Sequence, residues 1–502
     1  MAVAEELAFE MTEIRTPLVR GVSPYSVALA GDMRGASRSG LHALLSVALA
    51  LSMCASAASC GDDDATIAAR DGAMPDARLD RDVGSGADLG SSTPTDGGIP
   101  DVDAGGDPLI DAGGDPPIDA GGDPPIDAGG DPPVDAGEDP PVDAGEDPPA
   151  DAGSDAAADD AGPPPPPPCP HAGALEASTV AELARQGISG VALGIDMPGC
   201  LWMGAAGLAD RAAGRAVVPG DRFPIASITK TFTAAVILQL VDEGRLDLGD
   251  TIDAFVAFPS GDRITIRHLL AHTSGIADYF NRPDVLARAA EPWTRDEVLD
   301  VARAVPLAFA PGSAAEYSNT NYFVLGVVIE AVTGNPYHEE VRRRLLEPHG
   351  LDDTYLAGPE SLPGAVVRGY ARVGGDFVDV TDDVHPSLTW AAGGLVSTVD
   401  DLDRWARALF AGTVLSPAMR TAMLTPERLP TGAVLNVGLG VSIEDLPRGL
   451  GRYYGHLGRI QGYYLQLGYL PDHDAVMVQL TNDQDGAPNT FMTEMWMVVG
   501  LI

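Results

Sequence analysis

The chain has 502 residues and a formal net charge of −42 at pH 7, from 31 basic and 73 acidic residues. The length exceeds one ordinary domain, and so acidic a balance disfavours electrostatic binding to nucleic acid. Gly (59) and Pro (42) concentrate before residue 170, and the remainder is long enough to bury a large core.

Residues 33–60 read as an export signal, which places the expected translation start at Met33 and makes residues 1–32 an extension outside the functional protein. Arg34 and Arg38 precede an apolar stretch from Leu41 to Met53, short for a bilayer span. Small residues then lead to Cys60 in Ala57-Ala58-Ser59-Cys60. This resembles a bacterial lipobox, whose cysteine becomes the acylated N-terminus; an ordinary secretory signal with incidental cysteines is the alternative. The expected location is the cell envelope, periplasm or cell surface, with a lipid anchor on Cys60.

Residues 61–170 form an Asp/Pro/Gly-rich linker. From Asp103 to residue 158 an octapeptide repeats, as in DAGGDPPI and DAGEDPPV, and six prolines, Pro163 to Pro168, close the segment. Pro and Gly prevent helix and ladder, and little apolar area offsets the entropy of ordering. A disordered, extended acidic spacer is expected rather than a set of calcium ligands.

Residues 171–502 have globular texture. LEASTVAELARQ (175–186) predicts a helix; Ile188–Ile195 and Leu201–Leu208 predict two strands joined by a Met-Pro-Gly turn. TFTAAVILQLVDEG (231–244) and NYFVLGVVIEAVTG (321–334) predict apolar, buried helices that each stop at a glycine. YYLQLGYL (463–470) and AVMVQLTN (475–482) predict adjacent strands. Strands at both ends and helices between them imply a sheet assembled from distant segments, with a helical insertion.

Ser227 and Lys230 lie where a loop enters the first of these buried helices. Residues three apart share a helix face, and a serine hydroxyl needs a neighbouring base to become a nucleophile. Lys230 is the only lysine among 31 basic residues. Arginine cannot give up its proton in a protein, so lysine is kept where a deprotonatable amine would be required. Burial lowers the proton affinity of such an amine.

With these residues in view, the region resembles the serine β-lactamase and penicillin-binding superfamily, in the class C branch that includes D-Ala-D-Ala carboxypeptidases and esterases. ASITKTFTAAVILQLVDEGRLDLGDTI (226–252) carries its first motif. PGSAAEYSNTNYFVLGVVIEAVTG (311–334) carries the second, as Tyr317-Ser318-Asn319. GHLGRIQGYY (455–464) carries the third, as His456-Leu457-Gly458. ITIRHLLAHTSGI (264–276) and AAGGLVSTVDDLDRW (391–405) also resemble family segments. The resemblance implies an α/β fold in which an antiparallel sheet is flanked by helices, with a helical subdomain beside it. It implies acylation of Ser227, a proton shuttle of Lys230 and Tyr317 with either as the base, and Asn319 holding the lysine or a substrate amide. His456 would edge the cleft, and the backbone N–H groups of Ser227 and Arg459 would form the oxyanion hole. No metal or organic cofactor is implied; His268 and His272 read as structural residues of a buried turn.

One departure bears on substrate. The middle residue of the third motif, commonly Thr, is Leu457 here, which cannot hydrogen-bond a carboxylate; the charge of Arg459 could replace part of that affinity. The expectation is an exported, monomeric serine hydrolase acting on a peptide, β-lactam or ester carbonyl of a small-molecule or peptidoglycan-type substrate. An esterase, or a non-catalytic penicillin-binding or cell-surface protein, are the alternatives. If Cys54 leaves with the signal and Cys60 is acylated, Cys169 and Cys200 remain, and they are expected to pair.

Overall fold

The structure is a computed structural model that describes residues 169–361, 363–486 and 488–502. The signal over 33–60 with Cys60, the 61–168 part of the linker and the 103–158 repeats lie outside the described residues.

The described chain opens with α1 (Ala172–Gln186), which begins three residues before the sequence pattern suggests and ends on Gly187 in the left-handed region. The hairpin β1 (Gly190–Met197) and β2 (Cys200–Asp210) follows, with Met197 opposite Cys200, and then the short β3 (Arg215–Ala216). Four helices matter for the site: α2 (Thr229–Asp242), α3 (Asn319–Thr333), α4 (Pro386–Gly393) and α5 (Val399–Ala406). The chain then returns to the sheet as β4 (Ser442–Leu446), β5 (Gly451–Ile460), β6 (Tyr463–Leu470) and β7 (Ala475–Thr481), and α6 (Pro488–Val498) follows.

These seven strands form one antiparallel sheet in the order β3-β2-β1-β7-β6-β5-β4. The first hairpin pairs with the last strand, Val191 opposite Thr481, so the sheet is assembled from the two ends of the region as its sequence pattern implies. Because successive side chains of a strand point to opposite faces, the sheet feeds two cores. Leu175 of α1 and Phe491, Met495 and Trp496 of α6 pack with Val191, Leu193 and Met477 on the outer face. Leu465, Leu467, Val478 and Leu480 share the larger core with α2, α3 and α5 on the inner face.

Helix α2 is apolar nearly all round and is accordingly buried along most of its length. Phe232 stacks on Trp405 of α5 at 3.9 Å between ring centroids. Its buried hydroxyls are all spent on neighbours: Thr233 donates to the Ala391 carbonyl at 2.7 Å, and Thr229 accepts from the Leu395 N–H at 3.1 Å. These bonds fasten the 391–395 segment along the start of α2.

Cys169 and Cys200 are disulfide-bonded, with Cα atoms 4.0 Å apart and a sequence separation of 31. The bond ties the chain just before α1 to the β1–β2 turn. Among the described residues, no helix is long and apolar enough to cross a membrane.

Candidate active site

Ser227 sits in a tight turn, Ala226–Ile228, that leads directly into α2. The turn is held by Ile225 N–H donating to the Leu395 carbonyl at 2.9 Å, and Ala226 adopts φ +46°, a conformation sparsely populated by side-chain-bearing residues. Strand β5 closes over this turn at Gly458. A Cβ there would fall 2.5 Å from the Ile225 carbonyl oxygen, so glycine is what allows the strand so near the serine. Beyond Gly455 the described pairing leaves β5 with β6 on one side only, and the free edge runs beside Ser227.

Lys230, one turn along α2, is fully buried. Its Nζ lies 3.1 Å from Ser227 Oγ, 2.8 Å from Asn319 Oδ1 and 2.6 Å from the Ala392 carbonyl oxygen. Burial lowers its pKa to about 7, opposed by the Asp278 carboxylate. A neutral amine has two N–H donors and one lone pair. Asn319 Oδ1 and Ala392 O can only accept, so they take the two donors and leave the lone pair facing the serine hydroxyl.

Tyr317 approaches from the other side and donates its hydroxyl to Ser227 Oγ at 2.7 Å. Its surroundings push its pKa well above the usual tyrosine range, so it is a phenol rather than a phenolate. The tilted His272 ring lies 4.5 Å from the Tyr317 ring. His272 Nδ1 accepts from the Ser318 N–H at 3.2 Å and faces the Asn321 amide nitrogen at 3.1 Å, and burial keeps the imidazole neutral.

His456 approaches Tyr317 from β5, with its ring 6.5 Å from that of Tyr317. Its Nδ1 donates to the Leu457 carbonyl at 2.6 Å, which fixes the tautomer and leaves Nε2 as an acceptor. Burial lowers its pKa to about 4; the imidazole brings no charge. Leu457 and Arg459 alternate with His456 and so face the other side of β5. Leu457 is opposite Gln466 and 41% exposed. The Arg459 guanidinium carbon lies 5.6 Å over the ring of Tyr464. The structure thus brings Ser227, Lys230, Tyr317, Asn319, His456 and Gly458 together, and it places the Arg459 side chain outside that group. Among the described residues no cluster of His, Cys, Asp and Glu could hold a metal ion, and His268 caps a short helix by accepting from Thr265 N–H at Nδ1.

Two participants were not singled out from sequence. One is the Ala392 carbonyl, a backbone group without a side-chain signature. The other is Asp278, whose Oδ2 accepts from Asn319 Nδ2 at 2.9 Å and whose Oδ1 accepts from Phe280 N–H at 3.0 Å. Asp278 lies two residues past the 264–276 segment, where an aspartate in a turn carries no signal of its own.

The sequence model of the beta-lactamase family matches residues 143–498. The chain belongs to the beta-lactamase family. It is 27% identical over 292 residues to penicillin-binding protein 4* of Bacillus subtilis, covering 56% of this chain and 64% of that protein. It is 26% identical over 305 residues to a D-aminopeptidase of Brucella anthropi, covering 59% of this chain and 56% of that one. This beta-lactamase relative thus spans less than two thirds of either protein's length. Among solved structures, a D-stereospecific amidohydrolase from Streptomyces sp. superposes with a TM-score of 0.56 at 31% identity, over 64% of this chain and 97% of the other.

Proposed function

We propose that this protein is an exported serine hydrolase that forms an acyl-enzyme on Ser227. Its substrate is a neutral amide flanked by a D-configured residue. The reading rests above all on the buried Lys230 amine, 3.1 Å from the Ser227 hydroxyl with its other two partners acceptors only.

In this reading Lys230, rather than Tyr317, is the base. Ser227 Oγ gives its proton to Lys230 and bonds to the carbonyl carbon. The N–H groups of Ser227 and Arg459 are the proposed donors to the oxyanion. As the tetrahedral adduct collapses, the bond to the leaving nitrogen or oxygen breaks. Tyr317 protonates that atom and recovers a proton from Lys230. Water then attacks the acyl-enzyme, losing its proton to Lys230, and Ser227 regains one as the acid departs.

Substrate class follows from the cations. His456 is neutral, Leu457 has no hydroxyl, and the Arg459 guanidinium lies over Tyr464. A substrate carboxylate beside the scissile bond would find little to compensate its lost hydration. Penicillin and D-Ala-D-Ala carry such a carboxylate; amino-acid amides and simple esters do not. The D-configuration is taken from the relatives' names. An esterase is the second reading, favoured by the same lack of carboxylate partners.

Export is supported by the Cys169–Cys200 disulfide, since such bonds persist in oxidising compartments. Acylation of Cys60, a spacer over 61–170, a hydrolase domain over 171–502 and a monomeric state complete the proposal.

The test is a panel on the purified protein: D- and L-phenylalanine amide, a D-Ala-D-Ala peptide, nitrocefin and p-nitrophenyl butyrate. Preference for D-phenylalanine amide supports the reading. Preference for nitrocefin or the D-Ala-D-Ala peptide overturns the substrate class, and failure of a fluorophosphonate to label Ser227 overturns the mechanism.

A further inference from the structure

We propose that Asp278 is a positioning residue of the proton shuttle, acting on Lys230 through the side chain of Asn319. This rests on the acyl-enzyme reading above.

Asn319 connects the two. A carboxylate can only accept hydrogen bonds, so Asp278 Oδ2, 2.9 Å away, must take the Asn319 amide nitrogen. The amide is thereby oriented with Oδ1 towards Lys230 Nζ at 2.8 Å. A side-chain amide has a donor end and an acceptor end, and Asp278 decides which one the lysine meets. Both ends of the Asp278–Asn319 bond lie on one rigid unit. Thr320 of α3 accepts from Tyr279 N–H at 3.1 Å and donates to the Ala277 carbonyl at 2.7 Å. The turn carrying Asp278 is thus fastened to the first turn of α3, which carries Asn319. With its amide nitrogen engaged, Asn319 serves to hold the lysine.

The second contribution is charge. When Lys230 takes the serine proton, an ammonium forms in a dry site. The groups facing it are Tyr317 and Tyr322, whose rings lie 5.0 Å and 5.5 Å from Nζ, the neutral His272 and His456, and Asp278. Among these, Asp278 is the one that can be an anion: burial raises its pKa to about 6, against the pull of Lys230 and its hydrogen bonds, so it carries its charge above that pH. It supports the ammonium at the moment of proton transfer, much as the buried carboxylate of a serine–histidine–aspartate triad supports an imidazolium.

The sign of the consequence is definite. Removing the carboxylate charge lowers the proton affinity of Lys230, so the amine stays neutral to lower pH. It also withdraws support from the ammonium formed during reaction. Asp278→Asn removes the charge and keeps one acceptor oxygen of two; with that oxygen on the Asn319 amide, the new NH2 faces the Phe280 N–H and that one bond is lost as well. The rate of Ser227 labelling by a fluorophosphonate, followed against pH, should show an acid limb displaced to lower pH and a plateau reduced by about tenfold or more. Asp278→Glu keeps the charge and should return the acid limb towards its wild-type position. Thermal melts of both variants report folding separately.

A reduced plateau with an unmoved limb, in a folded variant, would mean that Asp278 has only a structural role and would overturn the proposal. So would wild-type plateau and limb in Asp278→Asn. If Asp278→Asn fails to fold, Asp278→Ser is the neutral variant read in its place: an acid limb displaced to lower pH supports the proposal, and an unmoved limb overturns it. Absence of labelling in the wild-type protein is a different failure: it removes the acyl-enzyme reading itself.

Discussion

The Lys230 amine and the Ser227 hydroxyl lie 3.1 Å apart because they are three residues apart across the entrance to α2. A buried helix thereby delivers a desolvated base to its own first turn.

The first prediction concerns pH. Tyr317 is pushed up and Lys230 down to about 7. If neutral Lys230 is the base, labelling of Ser227 should fall as pH drops through about 7, as the amine becomes protonated. A phenolate base would instead make the rate climb with pH above the ordinary tyrosine value of ~10. A labelling-rate profile from pH 5 to 11 separates the two.

Lys230→Arg keeps the charge and removes the ability to act as base. Labelling should fall by at least about 100-fold, with a melting temperature that reports folding separately. Near wild-type labelling would remove Lys230 from the shuttle. Ser227→Ala should abolish labelling while changing stability by no more than about 2 kcal/mol, the scale of the hydrogen bonds lost. A labelled serine elsewhere in that variant would relocate the nucleophile.

Much of this arrangement was legible in sequence. A lone lysine three residues after a serine, a Tyr-x-Asn at the start of an apolar helix and a His-x-Gly within a strand carry side-chain signals. So does the sheet assembled from distant ends, since short apolar runs bounded by turn residues stand at both. Other parts leave no such signal. The Ala392 carbonyl could be any residue's. Asp278 stands in a turn, where aspartate is common for reasons unrelated to catalysis. The face occupied by Leu457 depends on register, which one residue's slip reverses, and only the pairing of Leu457 with Gln466 fixes it.

That register shapes a third prediction. His456 faces Tyr317 and Lys230, whereas Leu457 and Arg459 face away. His456→Lys should therefore raise kcat/KM for a carboxylate-bearing peptide relative to a neutral amide, by about tenfold, the worth of one charge-assisted hydrogen bond. Leu457→Thr alone should change that ratio less. Equal effects from the two substitutions would show that the substrate reaches round the free edge of β5.

The last prediction separates stability from catalysis. Cys169 and Cys200 close a loop with a sequence separation of 31 and lie in the outer core with Leu175 and Trp202. Ser227 approaches the sheet from the inner face, where Ile225 and Ile228 join the other core. Constraining a loop of that length stabilises a fold by about 3–4 kcal/mol through the unfolded chain's entropy, which for a domain of this size corresponds to a melting shift of roughly 4–6 °C. Cys200→Ser, or reduction of the wild-type protein, should lower the melting temperature by that amount. Below the transition, the rate of Ser227 labelling should stay within about twofold of wild type, because no hydrogen bond of Ser227, Lys230, Tyr317 or Asn319 passes through the outer core. A large loss of labelling in a still-folded reduced protein would mean that the two faces of the sheet are coupled, with β1 and β7 carrying strain across to the serine turn.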